Sequence, residues 1–406
     1  MVGLARYEDA PAERLRTASR DAFTCLIDLA VEEKVDFVVI AGDLFDGPWR
    51  DVNTGLFFIR QMGRLQRAEI PAYVLYGNHD AESEQTRHLP MPSSVHVFRA
   101  DKPTTFRLES QRVALHGISF KHRETTRNLV REYPAKVDGW FNIGVLHTAL
   151  EGDSSHASYA PCSVSELEAM GYDYWALGHV HEHRVVQASV PVVFPGNLQG
   201  RSVRELGPRG AMLVEVDDAG SLTLERKYLD VVRWHHLQVD VSAVDDADQA
   251  LEKCRTELVE LIDREAGGHP LAARVSFVGK SAAHADLHLR AHELRAQVVA
   301  LAASLDEERL WIEKVRAATD PASEETGEAA PGGLAEQLRA LMADPELQAS
   351  IAADLIEMRG RLRQELAAND TVPGLAELQA GSAEALMEAA VPLLLAHLGA
   401  GKERAS

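Results

Sequence analysis

The run YDYWALGHVH, residues 172–181, is rich in aromatic and apolar side chains and ends on a glycine and two histidines one residue apart. Its composition predicts a strand, and in a strand residues i and i+2 point the same way. His179 and His181 can therefore face one site just past the strand end. Four further runs close on polar residues in the same manner: VDFVVIAGD (35–43), IPAYVLYGNHD (70–80), NIGVLHT (142–148) and VPVVFPGN (190–197). Helical patterns lie between and before them, notably PAERLRTASRDAFTCLIDLAVEEK and TGLFFIRQMGRLQRA. Such alternation predicts a layered α/β domain over residues 1–231, with helices covering a sheet.

Composition bounds the rest. The 406 residues suffice for two or three domains. With 46% apolar and 26% charged residues, no apolar run of membrane-spanning length and three scattered cysteines, the chain reads as a cytoplasmic protein without a disulfide framework or a membrane partner. A formal net charge of −20 speaks against general nucleic-acid affinity, so a phosphate partner needs a local positive site. From residue 232 to 318 the order becomes strand, helix, strand, helix, strand, which predicts a smaller second α/β domain. The stretch TDPASEETGEAAPGG (319–333) has a linker's composition, and residues 334–406 read as helical. There Ile351, Leu355, Met358, Leu362 and Leu366 form an apolar stripe suited equally to internal packing and to a partner helix.

Ligands of open α/β sheets gather at the carboxyl ends of strands. Here those ends carry Asp43, Asn78, His79, Asp80, His147, His179 and His181. Carboxylate, amide and imidazole together suit Mn²⁺, Fe or Zn²⁺ better than Ca²⁺ or Mg²⁺. Taken singly, each residue reads more readily as a turn or capping group; five such endings together reverse that weighting. A carboxylate can bridge two cations, and two cations clamp a phosphoryl group for in-line attack, which makes Asp43 the candidate bridge. His79, next to Asn78, would stabilise charge or protonate the leaving oxygen, with Asp80 orienting it. His116 and His183 read as structural and surface residues respectively. Gly42, Gly77 and Gly178 precede the polar residues, where the backbone must turn or approach closely.

The motifs GDLFD, GNHD, GVLHT and GHVHEH, in this order, resemble those of the calcineurin-like metallophosphoesterase superfamily. FPGNLQGRSVRELGPRG is similar, more narrowly, to the YhaO group, relatives of SbcD-type DNA repair exonucleases. The resemblance implies a metallophosphoesterase sandwich with a smaller α/β cap domain and a helical C-terminal tail. It also implies two divalent metal ions, Mn²⁺ foremost. Asn78, His147 and His179 would complete one metal position around the bridging Asp43, His181 would belong to the other, and His79 would be catalytic. The expected activity is hydrolysis of DNA in repair, beside an SMC-like ATPase and with a homodimer allowed. A catalytically impaired assembly subunit and a small-molecule phosphoesterase are the alternatives. The family's first motif, an Asp-x-His ending a first strand, is not found in MVGLARYEDAP, so the sequence is expected to start one strand late and one metal position to be incomplete.

For DNA contact, KHRETTRNLVREYPAK (121–136) joins five basic residues to two acidic ones. As a helix it would place Arg123, Arg127 and Arg131 on one face. Arg201, Arg204 and Arg209 follow the last site strand.

Overall fold

The computed structural model describes residues 12–45, 52–81, 90–150, 159–265 and 267–322, with scattered positions between 341 and 354. The chain divides into two compact units, at Trp234/His235. In the first unit, helix α1 (Ala12–Glu32) and helix α2 (Val52–Arg67) alternate with strands β1 (Val38–Ala41) and β2 (Ala72–Leu75). Phe23, Ile27 and Ala30 of α1 and Phe58, Met62 and Leu65 of α2 recur at helical spacing, and all are buried with Val38 and Val74. This apolar layer fixes both helices on a three-stranded parallel sheet of order β1-β2-β3, with β3 at Val95–Val97.

A second sheet carries six strands: β4 (Thr104–Leu108), β5 (Val113–Gly117), β6 (Phe141–His147), β7 (Tyr174–Gly178), β8 (Arg184–Val186) and β9 (Val192–Phe194). Their order is β4-β5-β6-β7-β9-β8, parallel from β5 to β9 with an antiparallel strand at each edge. Tyr73 and Leu75 of the first sheet share a core with Leu115, Ile143, Val145, Tyr174 and Val193 of the second. The opposite face of the six-stranded sheet buries Leu146, Trp175 and Leu177 beneath Phe120, Tyr133, Tyr172 and helix α4 (Val164–Ala169), which follows the one-turn helix α3 (Asn78–Ala81). Strand pairs are thus packed face to face with helices outside, a layered α/β architecture as the alternation of runs predicts. A hairpin, β10 (Gly210–Val216) with β11 (Leu222–Tyr228), completes the unit.

The second unit contains a three-stranded sheet of order β12-β13-β14: β12 (Arg233–Asp240), β13 (Leu271–Ser281) and β14 (Leu310–Pro321). Helices α5 (Ala247–Arg264) and α7 (Ala291–Asp306) share its core with Val239, Val275, Phe277 and Ile312, and a short helix α6 (His284–Leu289) lies between β13 and α7. One boundary needs correction. Thr319–Pro321, expected to open the linker, instead close β14, where Gly279, Lys280 and Ser281 of β13 pair with them. Residues 323–333 and nearly all of the tail, including Leu355, Met358, Leu362 and Leu366, lie outside the described residues. No helix among the described residues is long and apolar enough to cross a membrane.

Candidate metal centre

Strand register brings the polar ends together. Ala41 pairs with Leu75, which sets Gly42 and Asp43 beside Gly77 and Asn78. His147 pairs with Gly178, which sets it beside His179. The two sheets approach each other closely at this point: His147 Nδ1 lies 2.9 Å from the carbonyl oxygen of Ala41. The closeness depends on glycine. A Cβ on Gly178 would sit 1.9 Å from the Ala41 oxygen, and one on Gly77 would sit 2.6 Å from Asp43 Oδ1 and 2.7 Å from the His147 ring. Asp43 (φ 52°) and His179 (φ 93°) themselves occupy the left-handed region, a strained conformation for residues that carry a Cβ and one that recurs at functional sites.

One donor atom each from Asp43, His147 and His179 lie within 4.8 Å of one another. Asn78, buried at the start of α3, adds its Oδ1 at 2.8 Å from His147 Nε2, and Asp43 Oδ2 stands 3.5 Å from the same nitrogen. Burial lowers the His147 pKa, against the Asp43 charge, which favours the neutral ring with one proton. That proton is required at Nδ1, because a backbone carbonyl only accepts. Nε2 is then a lone pair that faces the oxygens of Asn78 and Asp43. Three acceptors converge where a positive charge is needed, and a cation fits that position.

The neighbouring residues hold this arrangement in place. Asp80 is buried, and burial followed by the charge of Asp43 pushes its carboxyl up to about 7. Asp80 was expected to orient His79, but its oxygens accept from the backbone amides of Gly77, Leu44 and Phe45, at 3.0, 3.2 and 2.9 Å. It ties the loop after β1 to the loop after β2 and so positions Asp43 and Asn78. His79 is half-buried, and its backbone N–H donates to Asp43 Oδ1 at 3.3 Å. The rings of Phe120 and Tyr159 stand edge-on to His147 and His179, with centroids 5.4 Å apart in each pair.

His181 stands outside the tight group of three. Its Nδ1 lies 2.7 Å from Glu205 Oε1, a partner 24 residues downstream that nothing in the spacing of the sequence signals. Burial alone would raise the Glu205 carboxyl. The His181 hydrogen bond and the Arg201 charge outweigh it and hold the group down at about 2. His116 is buried between Thr105 and Asn142, as its structural reading predicts. His183 is more enclosed than a surface residue, with Nδ1 3.2 Å from the Phe194 carbonyl oxygen.

The arginines do not form the expected track. Residues 121–129 are not helical, and only Val130–Glu132 makes a single 3₁₀ turn. Leu129, Val130 and Tyr133 are drawn into the core, while the Asn128 side chain accepts from the Val130 amide. Arg123, Arg127 and Arg131 therefore share no helix face. Arg127 pairs with Glu132 at 2.6 Å, and Arg131 with Glu166 at 2.9 Å. Arg201 lies against Glu205, Arg204 is exposed, and Arg209 is buried with one guanidinium nitrogen 2.6 Å from the His181 carbonyl oxygen.

A layered α/β fold with carboxylate, amide and imidazole gathered at its strand ends defines the class of calcineurin-like phosphoesterases, whose family model matches residues 16–183. The model for the middle domain of metallophosphoesterase YhaO matches residues 234–320. Metallophosphoesterase YhaO of Bacillus subtilis is 32% identical over 281 residues, 68% of either chain, and the present chain belongs to the YhaO family of metallophosphoesterases. The DNA double-strand break repair protein Mre11 of Aeropyrum pernix is 28% identical over 226 residues, 51% of this chain and 54% of that protein. Mre11 of Thermoplasma acidophilum is 25% identical over 272 residues, 62% of this chain and 68% of that one.

Proposed function

We propose that this chain is a divalent-metal-dependent phosphodiesterase acting on DNA ends, with Mn²⁺ as its native cation and an SMC-like ATPase as its partner in break repair. The observation that carries the reading is the set of acceptors around His147 Nε2, which calls for a cation. Asp43 would lie between two cations; Asn78, His147 and His179 would hold one of them and His181 the other. Cations so held would supply Lewis-acid stabilisation of charge on a phosphoryl group. The chain's own residues do the rest. His79, whose backbone amide donates to Asp43, would protonate the leaving oxygen or stabilise charge beside it. Arg204, exposed in the loop after β9, would meet a phosphate, with Arg123, Arg127, Arg131 and Arg201 as further candidates. Similarity to proteins named for double-strand break repair supports DNA as the substrate class.

The test compares linear duplex DNA, single-stranded DNA and a small aryl phosphodiester, each with Mn²⁺ and with a chelator. Mn²⁺-dependent cleavage of DNA, lost in His79→Ala while Mn²⁺ binding survives, is the expected result. Hydrolysis of the small diester alone would instead assign a small-molecule phosphoesterase. Binding of DNA or of the ATPase without hydrolysis would assign an assembly subunit.

A further inference from the structure

We propose that Tyr159 is a positioning residue, one whose ring holds the His179 imidazole in place for the cation; this rests on the metal-dependent reading above. His179 contributes a nitrogen to the group it forms with Asp43 and His147, yet its backbone sits at φ 93°, a conformation that persists only where the surroundings fix it. Two rings touch its own. That of His147 lies 5.2 Å away, centroid to centroid, at 66°, and that of Tyr159 lies 5.4 Å away at 85°. His147 is itself held by the Ala41 carbonyl, by Asn78 and by the Phe120 ring. Tyr159 comes from a different part of the chain, and it too is anchored.

The anchor is Thr148, the fully buried residue that follows His147. Its amide donates to the Gly178 carbonyl at 3.2 Å and so fixes the peptide that leads into His179. Its hydroxyl donates to the carbonyl of Ala160, the neighbour of Tyr159, at 2.7 Å. Around that bond the Ala149 amide donates to the Tyr159 carbonyl at 2.9 Å, the Ala160 amide donates to the Thr125 carbonyl at 2.6 Å, and Leu150 bridges Cys162. Ala160 takes φ 40°, a strained value for a residue that carries a Cβ. The end of β6 thus bears one ligand, His147, and holds both the peptide before a second ligand and the half-buried ring that packs on it. Rotation about the Cβ–Cγ bond is the freedom that would swing a ligating nitrogen off the cation. An edge-to-face aromatic pair restricts that rotation, and a ligand already ordered when the metal arrives loses less entropy on binding.

The experiment uses the full chain, stripped of metal and titrated with Mn²⁺. Electron paramagnetic resonance follows the free ion, and its pulsed form reads the imidazole nitrogen couplings of the bound one. Wild type, Tyr159→Phe and Tyr159→Leu are compared, with thermal unfolding as a control. Tyr159→Phe keeps the ring and loses the hydroxyl, whereas Tyr159→Leu fills much of the space without a ring. Tyr159→Phe is expected to match wild type in affinity and in couplings. Tyr159→Leu is expected to weaken Mn²⁺ binding about 2–10-fold, the span that an aromatic pair of this geometry is worth, and to alter the coupling of one imidazole. Carbon-13 relaxation of the histidine rings in the metal-free wild type provides a second readout, independent of how the variants fold: the His179 ring is expected to be as rigid as that of His147. An affinity that Tyr159→Leu leaves unchanged, a Tyr159→Phe variant as weak as Tyr159→Leu, or a His179 ring that turns freely in the metal-free protein overturns the inference while the proposed reaction stands. A wild-type chain that takes up no Mn²⁺ overturns both.

Discussion

His116 and His147 occupy neighbouring strands, β5 and β6, of one sheet; both are fully buried, and burial lowers the pKa of each. Their surroundings differ in one respect. The Asn142 amide donates to the carbonyls of Val137 and Trp140, so its Oδ1 faces His116 Nε2 and accepts, while the Thr105 hydroxyl donates to Nδ1. A neutral ring stacked on Tyr172 is fully satisfied there. At the carboxyl end of the sheet the same ring meets only acceptors, from Ala41, Asn78 and Asp43. Burial does not separate a core histidine from a functional one. The balance of donors and acceptors around the ring does.

Substituting each histidine should break the comparison most sharply. His147→Ala is expected to abolish Mn²⁺ binding and hydrolysis. His116→Ala should keep the Mn²⁺ affinity but cost about 3 kcal/mol in denaturant unfolding, because it opens a cavity and strands Asn142 and Thr105. Gly77→Ala comes next. Its methyl would collide with both Asp43 and His147, so Mn²⁺ binding measured by calorimetry should be lost even where the fold survives. Asp80→Ala removes the acceptor for three backbone amides, each worth about 1–3 kcal/mol when left unpaired in the interior, and should lower the melting temperature and the Mn²⁺ affinity together.

The smallest effect is on pH dependence. Asp80 titrates at about 7 in the fold against an ordinary 3.8. The folded state therefore binds the extra proton between these values, and its contribution, present in full below 3.8, is lost as pH rises through about 7. Metal-free wild type should show this decline in stability across that window, and Asp80→Ala should lack it.

The strand ends were legible because they are local: an apolar run, a glycine, then a polar donor. From that pattern Asp43, Asn78, His147 and His179 could be read directly; register pairs them within each sheet, and the contact of the sheets at Ala41 brings the pairs together. The strand and helix order of the second unit was legible for the same reason, apart from the short α6. What stayed hidden depends on distant partners. Asp80 looks like a companion of the adjacent His79, but the amides it serves at Leu44 and Phe45 come from the loop after β1. Arg123, Arg127 and Arg131 have a helix's spacing, yet burying Leu129, Val130 and Tyr133 outweighs the i, i+4 pattern. β14 extends to Pro321 because its pairing with β13 outweighs the turn-forming composition of Thr319–Pro321.

The most direct test is diffraction from crystals grown with Mn²⁺, recorded at the manganese absorption edge. The account expects an anomalous peak within coordination distance of Asp43, Asn78 Oδ1, His147 Nε2 and His179, with His147 Nδ1 still donating to Ala41. No peak at that position, or an Asn78 amide turned to donate its N–H to His147 Nε2, would contradict it.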